Sequence, residues 1–411
     1  MKKIIFTLII LLFFFSNVKA VTLPTTIQAD SAILINLDEN EVIYEKNPDK
    51  VEILASLTKI MTAYTTITHV DDLDKKVTIT ENDISGLEGF TVAGIEVGDK
   101  LSYRDLLYGT ILLSAADTSK ALANHISGSE TKFVELMNQE AKKLNLRNSN
   151  FEDSFGGHDD NIATAREIGK LLQIALKNKD FKQIFETTVY QMSNGIFVVN
   201  YTRSVASFHG LDDKLITGNK SGYTPEAGLL LASTATINNT NYALVVMNCK
   251  PNEWKSTHVL DTYRVYDYVK TQTFEKRTLL KKDTLLKKIK VVNGTIDEYP
   301  VYLDRDITKI LSNEDYEKIK IEYNIVDKID HTSKVGDNIG FIDIFIGNEL
   351  IASESISLKD KLYETNDNEE EKQKVLIPTF AMIVSFTLVV IFAGKLFLKT
   401  TKKKRKKKSK K

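Results

Sequence analysis

Cysteine is almost missing from this sequence. Cys249 is the only one among 411 residues, which excludes an internal disulfide framework and a thiolate zinc cluster. A lone thiol in such a chain is expected to be a small buried apolar residue. Histidine is sparse too. None of the six histidines has zinc-ligand spacing, so core or solvated roles are expected and no metal site is. No repeat of solenoid length occurs. The pair Thr278-Leu279-Leu280-Lys281-Lys282 and Thr284-Leu285-Leu286-Lys287-Lys288 is local composition. Long apolar runs are confined to the two ends. A net charge of one sign is also lacking, with 55 basic against 55 acidic residues. What is present is an apolar fraction of 42%, enough to exclude a mainly disordered chain. The length allows two or three domains.

Both ends address a membrane. Lys2 and Lys3 precede the apolar run 4–15, and Ala20 supplies a small residue at a cleavage point. Residues 1–20 therefore read as a secretory signal peptide, with an uncleaved anchor as the alternative. Residues 375–394 contain no charge, and a helix of that length rises about 30 Å, one bilayer core. Pro378 falls in its first turn, where proline is tolerated. A transmembrane helix is expected over 375–398, followed by a polybasic tail over 399–411. The positive-inside rule keeps that tail in the cytoplasm. Directly after a spanning helix, contact with anionic lipid is favoured over nucleic-acid binding.

The charge balance now has meaning. Removing the three lysines of 1–20 and the eleven basic residues of 375–411 leaves 41 basic against 55 acidic residues, about −14 for the exported part. No general affinity for nucleic acid is expected of it.

Within the exported part, apolar segments 32–37 and 41–45 flank Asp38-Glu39-Asn40, a hairpin signal. Residues 55–70, 103–125, 132–146 and 164–176 read as helices from composition and three- and four-residue apolar spacing. Strands are expected at 228–235 and 242–249 around the turn 238–241, with a closing helix at 258–270. Strands open and close the region and helices fill its middle. The expected fold is α+β, an antiparallel sheet built from both chain ends and covered by helices, over residues 21–272. Short β-branched runs at 288–292, 318–326 and 338–346, with turns at Asn293-Gly294 and Gly347-Asn348, suggest a small β-rich domain over 273–360. An acidic spacer, 361–374, follows.

Ser56 and Lys59 share one helix face at a spacing of three. A serine hydroxyl needs a base to become a nucleophile. A lysine serves as one only when burial or a neighbouring cation depresses its pKa. Alone the motif is weak, since Ser-x-x-Lys also occurs at Ser16 and Ser129 and usually marks a solvated helix face. Order strengthens it. Ser114-Ala115-Ala116-Asp117 ends an apolar run, and Lys220-Ser221-Gly222-Tyr223-Thr224 enters a strand. A Ser-x-x-Lys, a Ser-x-Asn-like element and a Lys-Thr-Gly-like strand form the three-part set of penicillin-binding proteins and serine β-lactamases.

Residues 25–270 resemble the D-alanyl-D-alanine carboxypeptidases, the low-molecular-mass penicillin-binding proteins. Further stretches carry the likeness: Phe133-Val134-Glu135-Leu136-Met137-Asn138, Asn150-Phe151 with Gly156-Gly157, and Thr164-Ala165-Arg166-Glu167-Ile168. Residues 273–358 resemble the β-rich domain that often follows, with Lys334-Val335-Gly336-Asp337-Asn338-Ile339-Gly340 as a low-specificity match. The resemblance implies that Ser56 forms an acyl-enzyme on the penultimate D-alanine of a peptidoglycan stem peptide, and that β-lactams acylate the same serine. Lys59 would handle the proton and Ser114 relay it to the leaving amine. Lys220, with Ser221, would meet the substrate carboxylate and help depress the pKa of Lys59. Gly222 would admit close backbone approach, and the N–H groups of Ser56 and Tyr223 would form the oxyanion hole. No metal or organic cofactor is implied. Catalysis on the wall side of the membrane is.

Two departures stand out. Ala116 replaces the usual asparagine, and an alanine cannot hold Lys59 or the substrate amide. Asp117 is adjacent, but helical geometry points it elsewhere. Ser221 replaces threonine and keeps the hydroxyl. Ala116 keeps a non-catalytic wall-binding protein open as an alternative. A β-lactamase would need a further carboxylate, which the sequence does not assign. Endopeptidase action differs only in the leaving group.

Overall fold

The structure is a computed structural model that describes residues 26–364. The expected signal peptide, transmembrane helix and basic tail lie outside the described residues. No helix among the described residues is long and apolar enough to cross a membrane. The chain forms two compact units. The first holds residues up to 277 with 309–320 and 345–352, and the second holds the remaining described residues.

The first unit is organised by a five-stranded sheet. Its strands are β1 (Ser31–Asn36), β2 (Glu41–Lys46), β3 (Ile216–Thr224), β4 (Gly228–Ile237) and β5 (Thr240–Cys249), in the order β2-β1-β5-β4-β3. All neighbours are antiparallel, and Ala32 faces Val246 across the β1–β5 pair. Strands from the start and the end of the 21–272 region therefore meet in mid-sheet, as the order of sequence elements predicted.

Successive residues of a strand point to opposite faces. Here both faces are covered. Ile33, Leu230, Ala232, Val245 and Met247 join one core, whereas Leu34, Leu231, Leu244, Val246 and Cys249 join the other. This explains why the strands read as continuous apolar runs without alternation. Cys249 is buried, as expected. Asn238 and Asn239 form the β4–β5 turn with φ of 51° and 63°. Both sit in the left-handed region that a two-residue hairpin turn demands. Thr240 and Asn241, assigned to that turn from sequence, belong to β5.

Seven helices place the site. They are α1 (Thr58–His69), α2 (Tyr103–Tyr108), α3 (Ala116–Ser127), α4 (Glu130–Lys143), α5 (Ala165–Ala175), α6 (Lys179–Glu186) and α7 (Thr257–Thr271). α1 is largely buried, with Lys59, Ile60, Met61, Thr62, Ala63, Thr65 and Thr66 all enclosed. A tight turn, Ala55–Leu57, leads into it. The segment 103–125 is not one helix, contrary to its apolar spacing. α2 widens into a π-turn at Gly109–Leu113, and Ser114 then adopts φ 64°, ψ 29° before α3 begins. Periodicity cannot reveal this break, because the apolar face continues on both sides of it. Ser129, one of the other Ser-x-x-Lys serines, caps α4 by accepting from the Lys132 N–H.

In the second unit, Leu285–Val292 pairs antiparallel with Glu298–Tyr302 and parallel with Lys328–Asp330. Ile289, Val291, Tyr299, Val301 and Ile329 are buried there. The unit is β-rich, as the β-branched runs predicted.

Candidate active site

Ser56 lies one residue after Ala55, whose φ of 41° is left-handed although it carries a Cβ. Such strain collects where a side chain must be aimed. One turn on, the Lys59 amine donates to the Ser56 Oγ at 3.2 Å and to the carbonyl of Phe155. Lys59 is only 2% exposed. Burial disfavours its charge and pushes its pKa down to about 7, against the pull of the Asp153 and Asp117 carboxylates. An amine with that pKa is neutral in a large fraction of molecules at neutral pH.

The Phe155 carbonyl is held by the loop around Asp153. The Asp153 carboxylate accepts from the backbone N–H groups of residues 155, 156, 157 and 158. Gly156 has φ 84°, and a Cβ there would fall 1.8 Å from the Ala55 oxygen. Only glycine lets this loop press against the backbone that carries Ser56. The sequence marked Gly156 but gave Asp153 no role. Its adjacency to the glycine pair was the available signal.

Ser114 and Lys220 form the second pair. The Lys220 amine donates to the Ser114 Oγ at 2.8 Å and to the Ser221 carbonyl at 2.8 Å. Lys220 is buried, and its pKa is held well below the ordinary value by burial and then by the charge of Lys59. The sequence assigned part of the Lys59 depression to Lys220. Burial is the larger cause there, and the coupling of the two amines bears on Lys220. Gly222, two residues along β3, sits against the nucleophile: a Cβ would lie 3.1 Å from the Ser56 nitrogen. The structure thus brings Ser56, Lys59, Ser114, Lys220 and Gly222 together. Tyr223 follows on β3 with its ring partly exposed.

Asp117 was expected to point elsewhere than Lys59; its hydrogen bonds go to backbone N–H groups, although its charge still acts on that amine. Its carboxylate accepts from the N–H groups of Ala93 and Gly94 at 2.9 Å and of Ile95 at 3.3 Å. The Ala116 N–H donates to the Thr91 carbonyl at 2.7 Å. Together they tie the 91–95 segment to the Ser114 turn. A cavity of about 170 Å³ lies elsewhere, lined by residues that include Asp38, Lys182, Glu186, Thr217 and Thr234. None of the predicted site residues lines it. No cluster of three or more potential metal ligands occurs among the described residues.

A buried amine beside a serine hydroxyl, with a second buried amine near enough to feel its charge, is a site for acyl transfer to serine. Comparison with known proteins agrees. Residues 17–251 match the family described as D-alanyl-D-alanine carboxypeptidase. The chain belongs to that family. Residues 274–370 match the C-terminal domain of penicillin-binding protein 5. The D-alanyl-D-alanine carboxypeptidase DacF of Bacillus subtilis is 27% identical over 345 residues, 82% of this chain and 86% of the relative. A D-alanyl-D-alanine endopeptidase of Escherichia coli is 31% identical, over 60% of this chain and 78% of its own length. The crystal structure of the carboxypeptidase DacD from Francisella tularensis superposes with a TM-score of 0.63 at 20% identity. It covers 83% of this chain and 95% of that one, and shows the shared fold. A serine mechanism and acylation by β-lactams are general in this carboxypeptidase family.

Proposed function

We propose that this carboxypeptidase removes the terminal D-alanine from peptidoglycan stem pentapeptides through an ester on Ser56. The observation that carries the reading is the 3.2 Å contact between the Ser56 hydroxyl and an amine that burial brings to about 7. Neutral Lys59 takes the Ser56 proton as Oγ bonds to the carbonyl carbon of the penultimate D-alanine. The N–H groups of Ser56 and Tyr223 receive the oxyanion. The C–N bond then breaks. The proton held by Lys59 returns to the departing amine through the Ser114 hydroxyl. Water attacks the ester carbonyl carbon as Lys59 accepts its proton; the C–Oγ bond then breaks, and Lys59 returns that proton to the Ser56 Oγ. Lys220, with Ser221, faces the terminal carboxylate of the substrate. That charge would draw a proton onto an amine which is otherwise disfavoured as a cation.

The placement of the enzyme belongs to the same proposal. Residues 1–20 direct export, 21–272 carry catalysis, and 273–360 form the β-rich domain. The acidic linker 361–374 and the helix 375–398 hold the enzyme on the outer face of the membrane, with the basic tail 399–411 inside against anionic lipid.

D-Alanine release from a stem pentapeptide analogue, with labelled penicillin on the same protein, tests the reading. Release together with a label lost in Ser56→Ala supports it. Ala116 favours a second reading, a wall-binding protein with little turnover, because the amide that would hold Lys59 and the substrate is missing. Under the first reading, Ala116→Asn raises D-alanine release by about tenfold or less, the worth of one positioning hydrogen bond. Absence of any penicillin label on the folded protein would establish the second.

A further inference from the structure

The chain has one tryptophan, and it is not in the core. Trp254 is 59% exposed, and Phe208 is 66% exposed. Their ring centroids lie 5.5 Å apart. The Lys255 amine lies 4.9 Å from the centroid of the Tyr223 ring. Two contacts, joined by the chain neighbours Trp254 and Lys255, thus link Tyr223 to Phe208 in a ledge of exposed side chains. Tyr223 directly follows Gly222, the residue against the Ser56 nitrogen. The ledge thus begins at the reacting end of β3, which is an edge strand of the sheet.

The turn that carries Trp254 is built. Lys255 has φ 47°. Its N–H donates to the Asn252 carbonyl, and the Asn252 side chain accepts from the Ser256 N–H and hydroxyl. A tight, internally bonded turn holds the indole outward at no cost to the core. Exposing that much aromatic surface is unfavourable in water unless something covers it.

We propose that this ledge binds the glycan portion of the substrate, with an N-acetylhexosamine ring lying on Trp254 and Phe208. The inference rests on the wall-peptide reading above. Reach supports it. With the penultimate residue at Ser56, the three preceding residues of an extended stem peptide cover on the order of 10 Å. The sugar that bears the peptide then lies beyond the residues beside Ser56, on the side where Tyr223 continues β3 from Gly222. Chemistry supports it as well. The C–H face of a pyranose is apolar and flat, matching an aromatic face, while its rim hydroxyls stay in water. The neighbouring charges, Glu253 and Lys255, oppose each other. That disfavours an anionic lipid surface as the occupant.

Trp254 supplies its own probe. In the full-length protein, in a detergent without a sugar headgroup, its fluorescence should shift saturably on addition of an N-acetylglucosamine tetramer. In Phe208→Ala the same titration should need roughly 5- to 10-fold more oligosaccharide. The ratio of kcat/KM for a disaccharide-pentapeptide over that for the free pentapeptide should fall by about the same factor in Trp254→Ala and be largely regained in Trp254→Phe. No fluorescence change in wild type, or an unaltered ratio in Trp254→Ala, overturns the proposal. Oligosaccharide binding without D-alanine release from either substrate would instead remove the catalytic reading and leave the ledge standing.

Discussion

Lys220 and Ser114 lie 106 residues apart in the chain, yet the amine of one donates to the hydroxyl of the other at 2.8 Å. Each needs an unusual setting to get there. Lys220 is buried although it stands on an edge strand, and Ser114 itself adopts a left-handed backbone behind a π-turn. With the hydroxyl removed, the leaving amine loses its proton donor and Lys220 loses a partner. Ser114→Ala should therefore slow acylation by labelled penicillin about 10- to 100-fold, the worth of a hydrogen bond to a charged group. A wild-type rate in this variant would remove Ser114 from the proton path.

Lys59 gives the pH dependence its sign. The reaction needs the neutral amine, so acylation should fall about tenfold per pH unit below a midpoint near 7 and level off above it. Stability runs the same way for a different reason. The folded pKa lies below the ordinary lysine value of 10.5. Between about 7 and 10.5 the unfolded chain therefore binds the extra proton, and stability rises with pH across that window. Below it the full penalty for the buried amine applies. Lys59→Met should thus abolish acylation at neutral pH while raising the thermal midpoint by ~2–4 °C for each kcal/mol recovered. A calorimetric scan of both proteins checks this, and a lower midpoint in Lys59→Met counts against a strained amine.

The sequence made the sheet, the buried cysteine and the paired lysines legible for different reasons. The sheet showed because its strands are apolar on both faces and bounded by Asn-rich turns. Ser56, Lys59 and Lys220 showed because their chemistry needs fixed residue types in a fixed order. Asp153 did not show. Its work is done by one carboxylate on four backbone N–H groups, and backbone partners leave no pattern in side chains. The break at Ser114 was equally hidden, since a π-turn keeps the apolar spacing of a helix while shifting its phase. Trp254 carries no motif at all. Only its exposure gives it meaning.

Asp117 separates positioning from simple scaffolding. Its carboxylate holds the 93–95 backbone and raises the pKa of Lys59 through space. An amide in its place keeps one acceptor oxygen and loses the charge. Asp117→Asn should move the midpoint of the pH–acylation curve to lower pH and lower stability by about 1–3 kcal/mol. A loss of stability with an unmoved midpoint would show that Asp117 only braces the loop.

Gly156 is where the fold and the chemistry share one constraint. Its φ of 84° suits glycine alone, and the space a Cβ would take is already held by the Ala55 carbonyl. Substitution cannot be absorbed by a flexible side chain, because the obstacle is backbone. Gly156→Ala must push the loop back, carrying the Phe155 carbonyl away from Lys59 and releasing the strained turn at Ala55. Stability should fall by about 1–3 kcal/mol. The acylation rate of the molecules that remain folded should fall further than in Gly195→Ala, a control at another positive-φ glycine with open space around it. Penicillin labelling of both variants, scaled to the folded fraction seen by circular dichroism, distinguishes the effects. Equal labelling would mean that the loop does not set the position of Lys59.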